Sequence, residues 1–287
     1  GDAFFNNDGS KLFLTNELNN TLDSDICEIN LSTNYDITTN TDPDLKGIDL
    51  TDTAEVNIGE NDAYGLSFNS DGTKMFVTTN GGNSVYEFHL SEGFDITTAS
   101  DSGQSYDLEA EGIDNPSGLR FNDDGTMMFV IDSDGEADAN GDKIHQYSLS
   151  TGFDLSSTVS HLGSIDLTAK YEEIIGGSVF GELKYMEFNN DGSKLYTTWS
   201  RWESDTGNKK DIARQRILQY SLDCPYGVVT CKNPVSDSDK DMIGVLESYT
   251  EMSKRVMKNN INPVMHRLEW LRRHRKKDNL TNQNIKF

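Results

Sequence analysis

A nine-residue phrase occurs four times in the chain, each time ahead of a run that reads as a β-strand. The copies are Phe5-Asn6-Asn7-Asp8-Gly9-Ser10-Lys11-Leu12-Phe13, Phe68-Asn69-Ser70-Asp71-Gly72-Thr73-Lys74-Met75-Phe76, Phe121-Asn122-Asp123-Asp124-Gly125-Thr126-Met127-Met128-Phe129 and Phe188-Asn189-Asn190-Asp191-Gly192-Ser193-Lys194-Leu195-Tyr196. Their Asp-Gly steps lie 53 to 67 residues apart. A repeat of this period restricts the architecture to solenoids, propellers or arrays before any single residue is interpreted. It says far less about chemistry.

The second copy shows the unit most clearly. Tyr64 to Phe68 and Lys74 to Thr79 alternate as strands do, and the Asp71-Gly72 step between them supplies the positive φ of a tight hairpin. Ser84 to Leu90 is a third strand and the stretch near Gln104 to Leu108 a fourth. The third-strand phrase returns as Ile26-Cys27-Glu28-Ile29, Ile144-His145-Gln146-Tyr147 and Ile217-Leu218-Gln219-Tyr220. Four short antiparallel strands per repeat predict an all-β chain, a partial β-propeller of about four four-stranded blades. The units run over 1–60, 61–115, 116–180 and 181–231. The last unit shows no evident fourth strand, the segment Cys224 to Cys231 standing in its place. Because the chain opens inside a strand pattern, it is expected to be a fragment or processed product with its N-terminal part missing.

Beyond the repeats, 232–238 read as a linker and 239–287 as a basic helical tail. Met242, Leu246, Tyr249, Met252 and Val256 fall on one helical stripe over about 239–258, with acids at its start and bases at its end. Asn262-Pro263 opens a second helix. From Asp241 onward there are 10 Lys and Arg against 5 Asp and Glu, whereas the whole chain carries −23. An acidic body with a basic tail implies two environments. The acidity argues against nucleic acid as a partner, because a phosphate-binding face needs Lys and Arg. No apolar run approaches the ~20 residues of a membrane-spanning helix.

Three candidate sites follow. The segment from Asp132 to Asp142 is dense in oxygen donors, and Asp132, Asp134, Asp138, Asn140 and Asp142 make a candidate calcium site. A solvated acidic loop is the alternative. Cys224 and Cys231 enclose a turn-prone hexapeptide; a disulfide there would contribute about 2–3 kcal/mol and place the chain outside the cytosol. Two unrelated buried thiols are the alternative. Cys27, within a strand pattern, reads as a small core residue. Arg267, Trp270, Arg272, Arg273 and Arg275 mark the tail as an interaction element. No nucleophile elbow, phosphate-binding loop or His-Glu-x-x-His zinc motif is present, and catalytic residues cannot be assigned.

Two resemblances add to this reading. The repeat, from the Phe…Asp-Gly step to the Gln-Tyr-Ser-Leu of the third strand, resembles the propeller repeats of the quinoprotein and lactonase-like superfamily over about residues 1–223. This implies the fold, and a calcium-dependent lactonase or esterase activity as one alternative. The tail, Asn262-Pro263-Val264-Met265-His266-Arg267-Leu268-Glu269-Trp270-Leu271-Arg272-Arg273-His274-Arg275, resembles the segment joining passenger to outer-membrane barrel in autotransporter-like bacterial surface proteins. That resemblance implies a secreted or surface-displayed binding module, with a protein or glycan ligand and an outer-membrane β-barrel reached through 239–287. A structural subunit of a phage or extracellular filament is a further alternative.

Overall fold

The computed structural model describes residues 2–15, 25–40, 46–50, 63–79, 81–133, 141–168, 181–203, 212–229 and 243–247. They form four antiparallel four-stranded sheets in a propeller arrangement. Blade 1 is β1 (Ala3–Phe5), β2 (Lys11–Thr15), β3 (Ile26–Asn30) and β4 (Lys46–Ile48). Blade 2 is β5 (Ala63–Phe68), β6 (Lys74–Thr79), β7 (Ser84–Leu90) and β8 (Ala99–Asp107). Blade 3 is β9 (Pro116–Phe121), β10 (Met127–Asp132), β11 (Lys143–Leu149) and β12 (Val159–Asp166). Blade 4 is β13 (Gly181–Phe188), β14 (Lys194–Glu203), β15 (Ile212–Leu222) and β16 (Ile243–Glu247). Strand order within each blade follows the chain.

The repeated phrase builds the first turn of each blade. The side-chain oxygen of Asn6, Asn69, Asn122 and Asn189 accepts from the backbone N–H that opens the second strand, at 2.8–2.9 Å. The carboxylate of Asp8, Asp71, Asp124 and Asp191 accepts from the N–H two residues on. The next residues, Gly9, Gly72, Gly125 and Gly192, adopt φ of 66° to 73°. An aromatic ring from the third-to-fourth connection lies against each glycine: Tyr35, Phe94, Phe153 and Tyr226. Each of these four is itself left-handed, with φ of 54° to 61°, and its N–H donates to the glycine carbonyl. In blade 4 this position falls inside the Cys224 to Cys231 segment, which therefore carries the ordinary turn of the repeat.

Neighbouring blades are joined by one recurring device. Phe13 of blade 1 packs on Phe68 and Phe94 of blade 2, with ring centroids at 4.7 and 6.3 Å. Phe76 packs on Phe121 and Phe153 of blade 3 at 4.6 and 6.2 Å, and Phe129 on Phe188 of blade 4 at 4.7 Å. A buried polar pair accompanies the rings. Lys11 donates to Glu28 at 2.8 Å and to the Phe94 carbonyl, while Glu28 accepts from the Ile96 N–H at 3.2 Å. Lys74 pairs with Glu87 at 2.8 Å and donates to the Phe153 carbonyl, while Glu87 accepts from the Leu155 N–H at 2.9 Å. At the third joint both partners change together: Met127 replaces the lysine and Gln146 the glutamate. Gln146 accepts from the Val229 N–H at 2.8 Å and donates toward the Met127 sulfur.

Two expectations change. The stretch 239–258 was expected to be helical, yet Ile243–Glu247 is a strand paired with β15, Tyr220 opposite Leu246 and Leu222 opposite Ile243. The fourth blade therefore has an outer strand, which the repeat pattern does not announce. Gly244 weakens a helix by about 1 kcal/mol relative to alanine, and β-branched Ile243 and Val245 suit a strand. The unpaired edge of β15 supplies backbone partners that an isolated helix would have to find internally. The rest of the tail, with Arg267, Trp270, Arg272, Arg273 and Arg275, lies outside the described residues.

Candidate functional site

The first strands β1, β5, β9 and β13 of the four blades are brought together by a single side chain. Within each opening strand, the residues one and three positions before the repeated phenylalanine share a face. They are Phe4 and Asp2, Ser67 and Gly65, Arg120 and Gly118, and Glu187 and Tyr185. Blades 2 and 3 thus offer small residues beside one arginine, while blades 1 and 4 offer acids and a phenol. A Cβ on Gly65 would strike the Leu119 backbone and Thr78 hydroxyl, so the opening strands approach as closely as glycine permits.

Arg120 is 3% exposed and fills the space between them. Its Nη1 and Nη2 donate to the two carboxylate oxygens of Asp2 at 2.8 and 3.0 Å. Nη1 also reaches the Leu66 and Leu119 carbonyls, and Nη2 the Ala3 carbonyl. Nε donates to Glu187 at 2.9 Å, and the guanidinium lies 4.5 Å over the Tyr185 ring. Asp2 further accepts from the Leu66 N–H, and the Tyr185 hydroxyl donates to Glu187 at 2.8 Å. Burial works against the Arg120 charge, but the Asp2 and Glu187 carboxylates outweigh it and lift its pKa well above the ordinary value. Burial, aided by Glu187 and Asp2 and only partly offset by Arg120, raises the Tyr185 phenol strongly, so it stays a donor. The Glu187 side chain is 47% exposed, whereas those of Arg120 and Asp2 are almost wholly buried.

The expected calcium ligands are only partly in view. Asp132 and Asp142 are buried, at 2% and 3% exposure, and flank 133–141. The Asp142 carboxylate accepts from the Leu183 N–H at 2.8 Å, which ties blade 3 to blade 4. Asp134, Asp138 and Asn140 lie outside the described residues, and among the described residues no cluster of three His, Cys, Asp or Glu could hold a metal. Beside Asp132, His145 is 3% exposed, its Nδ1 3.1 Å from Nε2 of His161 and its Nε2 4.0 Å from the Asp132 carboxylate. Burial, with His161 and Lys143 adding to it, lowers the His145 pKa to about 4. Cys27 is a buried free thiol as expected. Cys224 is half-buried, and Cys231 lies outside the described residues.

No protein-family model matches the chain, and no curated protein matches it. Solved structures do. A candidate 6-phosphogluconolactonase from Bacteroides uniformis ATCC 8492 matches at 14% identity and a TM-score of 0.44, over 86% of this chain and 55% of its own. The periplasmic gluconolactonase PpgL of Pseudomonas aeruginosa matches at 10% identity and 0.41, over 86% and 56%. The exo-β-1,3-galactanase 1,3Gal43A of Clostridium thermocellum matches at 13% identity and 0.47, over 86% and 51%. The chain spans little more than half the length of these structures, and at such identities none of them assigns it an activity.

Proposed function

We propose that this chain is a propeller interaction module whose inner cluster is structural and whose ligand is met at the strand ends. One observation carries the reading: every N–H of the Arg120 guanidinium is engaged by the protein's own blades, so the inner strands are tied together rather than left open to a substrate. The ends that carry the Asp-Gly turns are nearly identical from blade to blade. The opposite ends, at Thr15 and Ile26, Thr79 and Ser84, Asp132 and Lys143, and Glu203 and Ile212, are joined by 16–25, 80–83, 133–142 and 204–211. These connections differ in length and are rich in Asp, Asn and Gly. Variable loops on a rigid scaffold are where recognition is usually built. A protein or glycan ligand fits this reading, with calcium at the Asp132 to Asp142 segment as an optional bridge. Location outside the cytosol and display through the basic tail rest on sequence grounds, and a free-thiol mass at both Cys224 and Cys231 in native material would remove the first of these.

A hydrolase is the second reading, favoured by the half-exposed Glu187 carboxylate beside Tyr185 and Arg120. One experiment separates the two. The chain is screened against immobilised glycans and proteins, and against lactone and ester substrates with calcium present. Binding lost when 134–141 is replaced by the 80–83 sequence, but kept in Glu187→Gln, supports the module. Turnover that Glu187→Gln abolishes would replace it with the hydrolase.

A further inference from the structure

The connection from blade 2 to blade 3, residues 108–115, lies at the strand end where the variable connections gather. The Leu108 N–H donates to the Asn83 carbonyl at 2.9 Å, and the Ser133 N–H donates to the Asn115 carbonyl at 3.0 Å. The connection is thus held between 80–83 and 133–142. From Asp107 to Asp114 the chain carries four acids and no Lys or Arg. Asp107, Glu109 and Asp114 are exposed, whereas Glu111 is half-buried.

Glu111 turns into the joint. Its Oε1 accepts from the Tyr106 hydroxyl at 3.1 Å, and the Tyr106 ring meets the Tyr147 ring of blade 3 edge-on, with centroids 5.4 Å apart. Its Oε2 is buried and has no hydrogen-bond partner, and no ion pair engages Glu111 among the described residues. Two more buried oxygens on the blade 3 side of this joint lack partners. One is the hydroxyl of Tyr147, which is 0% exposed. The other is the hydroxyl of Ser117, two residues before Leu119 of the same core cluster. Burial, with Glu111 the foremost charge acting beside it, raises the Tyr147 phenol strongly. Burial and Glu111 push the Tyr106 phenol up to about 12, so it keeps the proton that it donates. Buried polar atoms are nearly always satisfied, and a carboxylate turned inward calls for a cation.

We propose that this site takes an alkylammonium group, the head of a lysine side chain or of a free amine. The proposal rests on the interaction-module reading and names the chemistry of its ligand. The donor set selects the guest. A divalent metal needs more anionic or imidazole ligands, and among the described residues no cluster of three His, Cys, Asp or Glu could supply them. A guanidinium pairs with both oxygens of a carboxylate, but Tyr106 already holds Oε1. An ammonium is a compact charge with three donors and needs only Oε2 of the carboxylate, leaving donors for the two hydroxyls. The flexible stem of a lysine brings such a head inside while its backbone stays outside. The approach is open at Gly112, where a Cβ would meet nothing within 4 Å. The exposed Asp107, Glu109 and Asp114 draw cations toward it.

The test is a titration of the intact chain, followed by NMR at the amides of 108–117. The probes are n-butylammonium ion and a short glycine peptide with a central lysine. Matching peptides carry arginine or Nε-acetyllysine instead. The lysine peptide should shift these amides, the acetyllysine peptide should not, and the arginine peptide should bind about tenfold more weakly. Butylammonium that binds as well as the peptide shows that a free amine suffices; a peptide that binds where butylammonium does not assigns the site to a polypeptide lysine. Glu111→Gln should weaken the lysine peptide about tenfold. Tyr147→Phe, which keeps the ring and its packing, should weaken it to a smaller extent. Glu92→Gln removes an exposed charge at the opposite strand end and should leave binding unchanged. No shift at 108–117, equal losses in Glu111→Gln and Glu92→Gln, or arginine and acetyllysine peptides that bind as well as lysine would each overturn the proposal. Capture of a protein or glycan that is equally strong in Glu111→Gln and wild type keeps the module reading and overturns this one alone.

Discussion

A glycine at φ near +70° with an aromatic ring lying across it recurs in every blade, and the two requirements can be separated by experiment. A side chain in the left-handed region costs about 1–2 kcal/mol. At Gly72 a Cβ would also enter the Phe94 ring, whereas at Gly103, with φ of 72°, it would meet nothing within 4 Å. Gly103→Ala should therefore cost about 1 kcal/mol and Gly72→Ala about 3 kcal/mol, the excess being the displaced ring. Urea denaturation of both variants checks this, and equal losses would remove the ring from the account. His145 sets a second test. Its folded pKa of about 4 lies below the ordinary 6.5, so folded protein keeps it neutral where unfolded protein protonates it. Its contribution is intact above pH 6.5 and is lost as pH falls toward 4, by roughly 3 kcal/mol in all. In His145→Gln the midpoint of urea unfolding should fall less between pH 7 and pH 4.5 than in the wild type.

At the scale of the element, the third joint shows how the other two should respond to mutation. There Met127 and Gln146 replace a Lys–Glu pair in one step, while Glu28 and Glu87 remain almost wholly buried beside their lysines. A buried carboxylate that loses its cation is far more costly than a pair exchanged for neutral partners. Lys74→Met alone should destabilise by about 3 kcal/mol, even with His89 at 2.9 Å from Glu87, and adding Glu87→Gln should restore most of the loss. A double variant as unstable as the single one would show that the lysine acts through its bond to the Phe153 carbonyl instead. These elements were legible in the sequence wherever their partners are local. Asn69, Asp71, Gly72 and Thr73 complete their turn within five residues, so the phrase announced both strands and the hairpin. The outer strand of blade 4 was not legible, because the stripe through Met242 and Leu246 fits a helix as well. What decides for a strand is the edge of β15, which no local window contains.

The inner cluster was illegible for the same reason at greater range. Arg120 meets Asp2 across 118 residues, Glu187 across 67 and the Leu66 carbonyl across 54, and only packing the blades side by side brings them together. The one trace in the sequence is a lone cation in an opening strand whose counterparts are Phe4, Ser67 and Glu187. Its effect belongs to the whole molecule. Blades held by nearest-neighbour joints alone would behave as a linear array, in which a terminal blade can fray without disturbing the others. Arg120 adds a link from blade 3 to blades 1, 2 and 4 at once, so it should convert an array into a cooperative unit. Arg120→Met leaves Asp2 buried without its cation and should cost about 3–5 kcal/mol. The distribution of that loss is the sharper test. Amides of β2 and β3 in blade 1 should exchange with solvent well before those of β6 and β10 in the variant, and together with them in the wild type. If blade 1 opens ahead of the others even with Arg120 in place, the cluster is a local ion pair and the joints alone hold the propeller.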